Sequence, residues 1–209
     1  MFVIVEGPNG AGKTTLIRNF ANAGYTTLSS PNGTPLATML RPVCRGTQPW
    51  EDVDKVIQFL CFSAARMDEY VRIVHNKPDV VVADRWWTST YVYQCVLQGI
   101  PIPFLEYTIH PHEKVHQVIL LDASEDVLIG RVKTEREQNP AHGSCSWTKM
   151  EETQRQLIQI YRNDLPKYLT TKNIPCSVID TTNITTDQVF EMSVNIIKSH
   201  SLQKTEVMV

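Results

Sequence analysis

Three continuous apolar runs stand out along the chain: Met1–Val5, Val80–Ala83 and Val118–Leu121. Unbroken apolar runs of this length read as strands buried on both faces. Two shorter, more mixed runs, Tyr25–Leu28 and Cys176–Ile179, complete a set of five strand candidates. Between them the apolar positions change to a spacing of three and four, which predicts helices over 13–20, 35–43, 52–75, 87–98, 125–135, 148–169 and 186–199. Strands alternating with helices imply an α/β fold: a five-stranded parallel sheet flanked by helices on both faces. Ligands of such sheets sit at the carboxyl ends of the strands. The chain shows no repeats and reads as a single domain over 1–200 with a loose tail at 201–209.

Two stretches qualify this picture. Segment 136–147 gathers Asn139, Pro140, Gly143, Ser144 and Ser146 between two helices, so it is expected to be a loop. It is either a plain surface connection or, with the charged approach from Arg131 to Arg136, a lid of about 131–147 over phosphates. The helix over 52–75 places Val53, Val56, Leu60, Ala64, Met67, Val71 and Val74 on one stripe, expected to face the core. Phe62 and Arg66 lie four apart on a different face. They suit stacking on a flat base with a polar edge contact. Packing under a neighbouring helix is the simpler reading of the helix alone.

The turn after the first strand adds chemistry. Gly7-Pro8-Asn9-Gly10-Ala11-Gly12-Lys13-Thr14 matches the phosphate-loop pattern G-x-x-x-x-G-K-[ST] between a strand and a helix. Its glycines let the backbone close around an anion, and its N–H groups point into one concavity. Lys13 suits the β- and γ-phosphates, and the Thr14 hydroxyl suits Mg²⁺. The third strand ends in Asp84-Arg85. An acid there can hold Mg²⁺ beside the phosphate loop, and a planar guanidinium can fork onto phosphates. The alternative is a helix cap with a solvated arginine. Ser89 with Tyr93, and Thr90 with Gln94, pair at four-residue spacing on the helix that follows. Trp86 and Trp87 are either walls of that pocket or core.

Charge and cysteine content narrow the setting. A net charge of −2 disfavours a general grip on nucleic acid. Five cysteines without a C-x-x-C pair argue against structural zinc and a disulfide framework, and point to a reducing compartment. With no leader segment or 18-residue apolar span, a cytoplasmic protein away from membranes is expected.

Phe2–Gly7 running into Gly10–Thr15, then Gly33–Leu36, Phe62–Arg66, Asp84-Arg85-Trp86 with Ser89, Tyr93 and Gln94, Leu120–Asp122, Arg131 and Val178–Asp180 together resemble the thymidylate kinase family. These are phosphate-loop nucleoside monophosphate kinases, and the resemblance covers residues 1–198. It implies a three-layer P-loop NTPase sandwich with a lid, working as a homodimer with ATP and Mg²⁺. Transfer to a deoxypyrimidine 5′-monophosphate such as dTMP or a 5-substituted dUMP follows. Gly7, Asn9, Gly10, Ala11, Gly12, Lys13, Thr14 and Thr15 would hold ATP, with Thr14 and Asp84 on the metal. Phe62, Arg66, Arg85, Ser89, Thr90, Tyr93 and Gln94 would hold the acceptor. Lys13, Asp84, Arg85, Arg131 and Arg136 would serve the transfer.

The chain departs from the family pattern on the acceptor side. Asn9 stands where an acid is usual, and Ser29-Ser30-Pro31-Asn32 replaces an Arg-Glu-Pro-Gly segment. Two alternatives therefore remain. One is a kinase acting on a hydroxyl of a nucleoside or of a hydroxymethylated pyrimidine, free or in DNA. The other is a nucleotide-binding module without activity.

Overall fold

A computed structural model of the chain describes residues 1–45, 47, 49–50, 52–76, 80–138 and 147–206. Five strands, β1 Phe2–Glu6, β2 Thr26–Ser29, β3 Val81–Asp84, β4 Gln117–Asp122 and β5 Cys176–Asp180, form one parallel sheet in the order β2-β3-β1-β4-β5. Side chains alternate across it. Phe2, Ile4, Val81, Ala83, Val118 and Leu120 enter one core layer, and Val3, Val5, Val82, Ile119 and Leu121 the other. Burial on both faces is what the unbroken apolar runs require.

The first layer is closed by α3 Lys55–Glu69 through Phe59, α4 Trp87–Thr90 through Trp87, α5 Ile102–Tyr107 through Leu105, and α8 Leu165–Thr171 through Leu165 and Leu169. The second is closed by α1 Lys13–Asn22, α6 Glu125–Gln138 and α9 Thr186–Glu206, through Leu16, Phe20, Leu128, Val189 and Ile197. α2 Pro35–Arg45 packs on α3, and α7 Trp147–Gln159 leads into α8 through a π-helical stretch, Ile160–Asp164. Similar π-helical stretches extend α3 over Tyr70–Val74 and α4 over Tyr91–Leu97.

Several expectations need revision. α5 lies outside the expected helices; Pro101 and Pro103 are tolerated at its start, because a proline in the first turn loses only an N–H that has no partner there anyway. Residues 136–138, expected in the loop, continue α6, since Arg, Glu and Gln are good helix formers. Residues 139–146, the rest of the expected lid, lie outside the described residues. α9 runs on to Glu206 through part of the expected tail, and 207–209 lie outside the described residues.

The largest correction concerns α3. Its buried face carries Phe59, Ser63, Ala65, Arg66 and Glu69, while much of the expected core stripe, Val56, Leu60, Ala64 and Val71, faces solvent, with Leu60 53% and Val71 46% exposed; of that stripe Val74 packs against the core. Ile57, beside the stripe, is 51% exposed. Periodicity identifies an apolar stripe but not which surface covers it.

Candidate active site

β1 lies between β3 and β4, so the loop after it opens at the carboxyl edge where the strand order reverses. Gly7 has φ +144°, and a Cβ there would fall 2.2 Å from the carbonyl oxygen of Leu121. Only glycine lets the chain leave β1 this close to β4. Lys13 is 7% exposed and its Nζ donates to the carbonyls of Gly7 and Pro8, both at 2.7 Å. Burial, with the nearby Arg85 guanidinium second, pulls its pKa down to about 7. Arg131 closes the other side: its Nη1 donates to the carbonyl of Gly10 and to Thr181 Oγ1, both at 3.1 Å. Arg131 thus braces the loop from α6. Arg136, further along, donates to Met150 Sδ at 2.9 Å.

At the end of β3, Arg85 takes a left-handed φ of +68°. A non-glycine residue there carries on the order of 1 kcal/mol or more of strain. The turn breaks the strand alternation, so Asp84 and Arg85 both line the same cavity. Asp84 Oδ1 is buried without a hydrogen-bond partner. Burial raises its pKa against the pull of Arg85 and Lys13. Arg85 Nη1 donates to Ser89 Oγ (3.1 Å) and Tyr161 OH (3.0 Å), and its Nη2 to Asn9 Oδ1 (2.9 Å). The guanidinium also sits 5.4 Å from the ring centroid of Tyr93.

Beneath this array lies Glu6, fully buried at the end of β1. Its carboxylate accepts from Thr88 Oγ1 (2.6 Å), Ser89 Oγ (2.8 Å) and Tyr161 OH (3.0 Å). Asn9 is held from α7 by Gln154, whose Nε2 donates to the Asn9 carbonyl at 2.8 Å and whose Oε1 accepts from Asn9 Nδ2 at 3.3 Å.

Further out, Arg66 is buried, and desolvation pulls its pKa down to about 10. Its Nη1 donates to Thr90 Oγ1 and its Nη2 to Thr108 Oγ1, each at 3.1 Å. Phe62, half-buried, and Gln94 line the wall beside it. Trp86 lines the cavity too and donates Nε1 to Glu113 at 2.5 Å, whereas Trp87 is core, edge-on to Tyr168. Behind Ser30 and Asn32, which also line the cavity, Glu69 accepts from Ser30 Oγ (2.5 Å) and from the backbone N–H groups of Asn32 (2.8 Å) and Gly33 (2.7 Å), shaping the turn after β2.

Most of these groups border one cavity of about 1380 Å³, while Glu6, Glu69, Thr108, Gln154 and Tyr161 lie behind its wall and hold residues that line it. Single-ligand pockets run to about 300–1,000 Å³, so this one suits two ligands end to end. Every expected site residue lines it except Gly7, whose carbonyl instead holds Lys13. Sequence reasoning missed Glu6, Gln154 and Tyr161 as site residues. Glu6 left a signal, a carboxylate closing an otherwise apolar strand. Tyr161 left none, being one aromatic in a long amphipathic helix.

Comparisons with known proteins point to one family. The thymidylate kinase family model matches residues 5–178. The thymidylate kinase of Deinococcus radiodurans is 32% identical over 114 residues, covering 50% of this chain and 54% of that protein. The matched stretch thus spans little more than half of that relative. A probable thymidylate kinase of Pyrobaculum calidifontis is 32% identical over 140 residues, covering 64% and 69%. The crystal structure of thymidylate kinase from Ehrlichia chaffeensis has a TM-score of 0.65 at 20% identity, covering 94% of this chain and 98% of that one. At that identity the likeness is one of fold, and it extends the phosphate-loop sandwich over nearly the whole chain. A family match that starts in β1 and ends in β5 reaches every strand of the sheet, the phosphate loop and the wall with Phe62 and Arg66, and on that ground the chain belongs to the thymidylate kinase family.

Proposed function

We propose that this protein transfers the γ-phosphoryl group of ATP to the 5′-phosphate of a deoxypyrimidine nucleoside monophosphate, with dTMP or a 5-substituted dUMP as acceptor. The observation that carries the reading is the single cavity running from the phosphate loop, past Asp84 and Arg85, to Phe62 and Arg66. The donor end offers backbone N–H groups and Lys13. The far end offers an aromatic face and a buried guanidinium, a pairing suited to a planar base with polar edges.

The residues also fit Mg²⁺. The unpartnered, buried Asp84 Oδ1 and the exposed Thr14 hydroxyl are oxygen donors in that cavity. When bound there, the ion neutralises charge on the phosphates. Lys13 and Arg131 hold the donor end of the cavity, and Arg85 meets the acceptor phosphate. That phosphate is already an anionic nucleophile, so no side chain has to remove a proton. Positioning and charge stabilisation by Lys13, Arg85 and Arg136 carry the step. The test is ADP release with dTMP, dUMP, dCMP, 5-substituted dUMP and the parent nucleosides. Release with nucleosides but not monophosphates moves the reading to a hydroxyl acceptor, and release with none overturns it.

Replacing Phe62 with Ala is expected to raise the acceptor KM about tenfold, from a stacking contribution of about 1–3 kcal/mol, with the ATP KM unchanged. Steady-state kinetics with each substrate varied in turn checks this. An equal rise in both KM values would assign Phe62 to packing.

The exposed α3 stripe supports a homodimer. Val56, Leu60 and Val71 form an exposed apolar face on a helix that turns Phe59, Ala65, Arg66 and Glu69 inward. Leu60→Glu is expected to shift a dimer to monomer in size-exclusion chromatography with light scattering, and a monomeric wild type would refute the placement. No helix among the described residues is long and apolar enough to cross a membrane. The free thiols of Cys44, Cys61, Cys95 and Cys176 fit a reducing compartment such as the cytoplasm.

A further inference from the structure

α2 carries Arg41 and Arg45, one turn apart and both on the cavity wall beside Ser30 and Pro31. Arg41 is tied at one point, its Nη1 donating to the carbonyl of Pro31 at 3.0 Å, which fixes its guanidinium against the turn after β2. The Arg45 side chain has no hydrogen bond or ion pair with any described residue. Burial, then the neighbouring Arg41 and Arg85 guanidiniums, lower its pKa, so three like charges converge on one end of the cavity. Glu6 and Asp84 offset Arg85, but among the described residues no carboxylate forms an ion pair with Arg45. Glu69 is used by Ser30, Asn32 and Gly33, and Glu6 lies below Arg85 at 3.9 Å. Like charges held together in the free protein favour an anion between them.

The donor count leads to the same place. A guanidinium has five N–H donors. Three from Arg85 are committed to Ser89, Tyr161 and Asn9. A phosphate monoester dianion presents three terminal oxygens, more than the remaining two donors can satisfy. The segment Ser29–Asn32 between β2 and α2 contains no cation to supply the rest.

We propose that Arg45 binds the acceptor's phosphate monoester dianion, so that α2, and not the turn after β2, provides the second positive charge of the acceptor subsite. This rests on the acceptor being a nucleoside monophosphate. Arg45 then sets the preference for phosphorylated over unphosphorylated acceptors, and its exposed position lets it fold over the phosphate once the base is seated against Phe62.

The test is Arg45→Gln in the full chain, with Arg45→Lys beside it. For Arg45→Gln the dTMP KM and Kd are expected to rise about tenfold, the loss of one charge-assisted hydrogen bond. The kcat, ATP KM and melting temperature should stay unchanged, and Arg45→Lys should recover part of the loss. Thymidine, which lacks the phosphate, should bind wild type and variant equally. An unchanged dTMP KM, or an equal loss for thymidine and dTMP, overturns the assignment. If the wild type neither binds nor phosphorylates dTMP, the proposed function falls. Arg45 is then judged by the Kd of inorganic phosphate for the Mg–ADP-loaded protein, which must weaken in Arg45→Gln; equal Kd values overturn it.

Discussion

Replacing Lys13 with Met is expected to lower kcat/KM by about 10³-fold, roughly 4 kcal/mol of transition-state stabilisation, while leaving the fold intact. Lys13 is the one ammonium held inside the phosphate loop, and its Nζ reaches the site only because the carbonyls of Gly7 and Pro8 aim it there. Met keeps the buried stem and removes the charge. Its effect on stability has a definite sign. Burial holds the folded pKa at about 7, well below the 10.5 of an ordinary lysine. Between those values the unfolded chain binds a proton that the folded chain does not. Lys13 therefore contributes a stability that rises with pH across that window. In Lys13→Met this contribution disappears, so wild type minus variant stability should slope upward from pH 7 to 10. Phosphate binding favours the charged amine, so ATP binding at pH 8 should take up protons in the wild type and fewer in the variant. Titration calorimetry in buffers of different ionisation enthalpy reads this directly. A Lys13→Met enzyme within tenfold of wild type would remove the phosphate loop from the mechanism.

The sheet was legible because burial on both faces writes itself as unbroken apolar runs such as Val118–Leu121, which need no tertiary information to interpret. The donor half of the cavity was legible for a related reason. The loop from Gly7 to Thr14 is contiguous, and backbone geometry alone sets its shape. The acceptor half was only partly so. Phe62, Arg66, Thr90 and Tyr93 reach one wall because α3 and α4 cross at the strand ends, and four-residue spacing indicated which of them share a face. The side of α3 that meets the core could not be read. Arg66 and Glu69 are buried there because hydrogen bonds from or to Thr90, Thr108, Ser30 and Gly33 satisfy them, and those partners lie 24 to 42 residues away. A buried polar face and an exposed apolar one invert the ordinary rule, and only the tertiary partners reveal it. Glu6 and Tyr161 show the same limit at greater separation, 155 residues.

Replacing Glu6 with Gln is expected to damage both stability and acceptor use, even though the side chains have the same shape. Ser89 and Tyr161 each have a single hydroxyl proton. Both donate it to the Glu6 carboxylate, which leaves their lone pairs to accept from Arg85 Nη1. Glu6 thus sets the direction of two hydroxyls and, through them, the position of the guanidinium that meets the acceptor phosphate. An amide cannot reproduce this. Its NH₂ turns toward one hydroxyl, reversing it so that its proton opposes Arg85, or stays buried without an acceptor. Leaving such a group unsatisfied costs about 2–4 kcal/mol. A chain of 209 residues should then lose roughly 4–16 °C in Tm, at about 2–4 °C per kcal/mol. At a temperature where both proteins are folded, the acceptor KM should rise at least tenfold with the ATP KM within twofold, because Lys13 and Arg131 do not touch Glu6. Glu6→Asp keeps the charge but shortens the reach, and should recover part of the Tm but little of the acceptor KM. If Glu6→Gln instead matches the wild type in acceptor KM, Arg85 is positioned by Asn9 alone, and the Glu6 network serves only to hold β1 against α4 and the π-helical stretch that carries Tyr161.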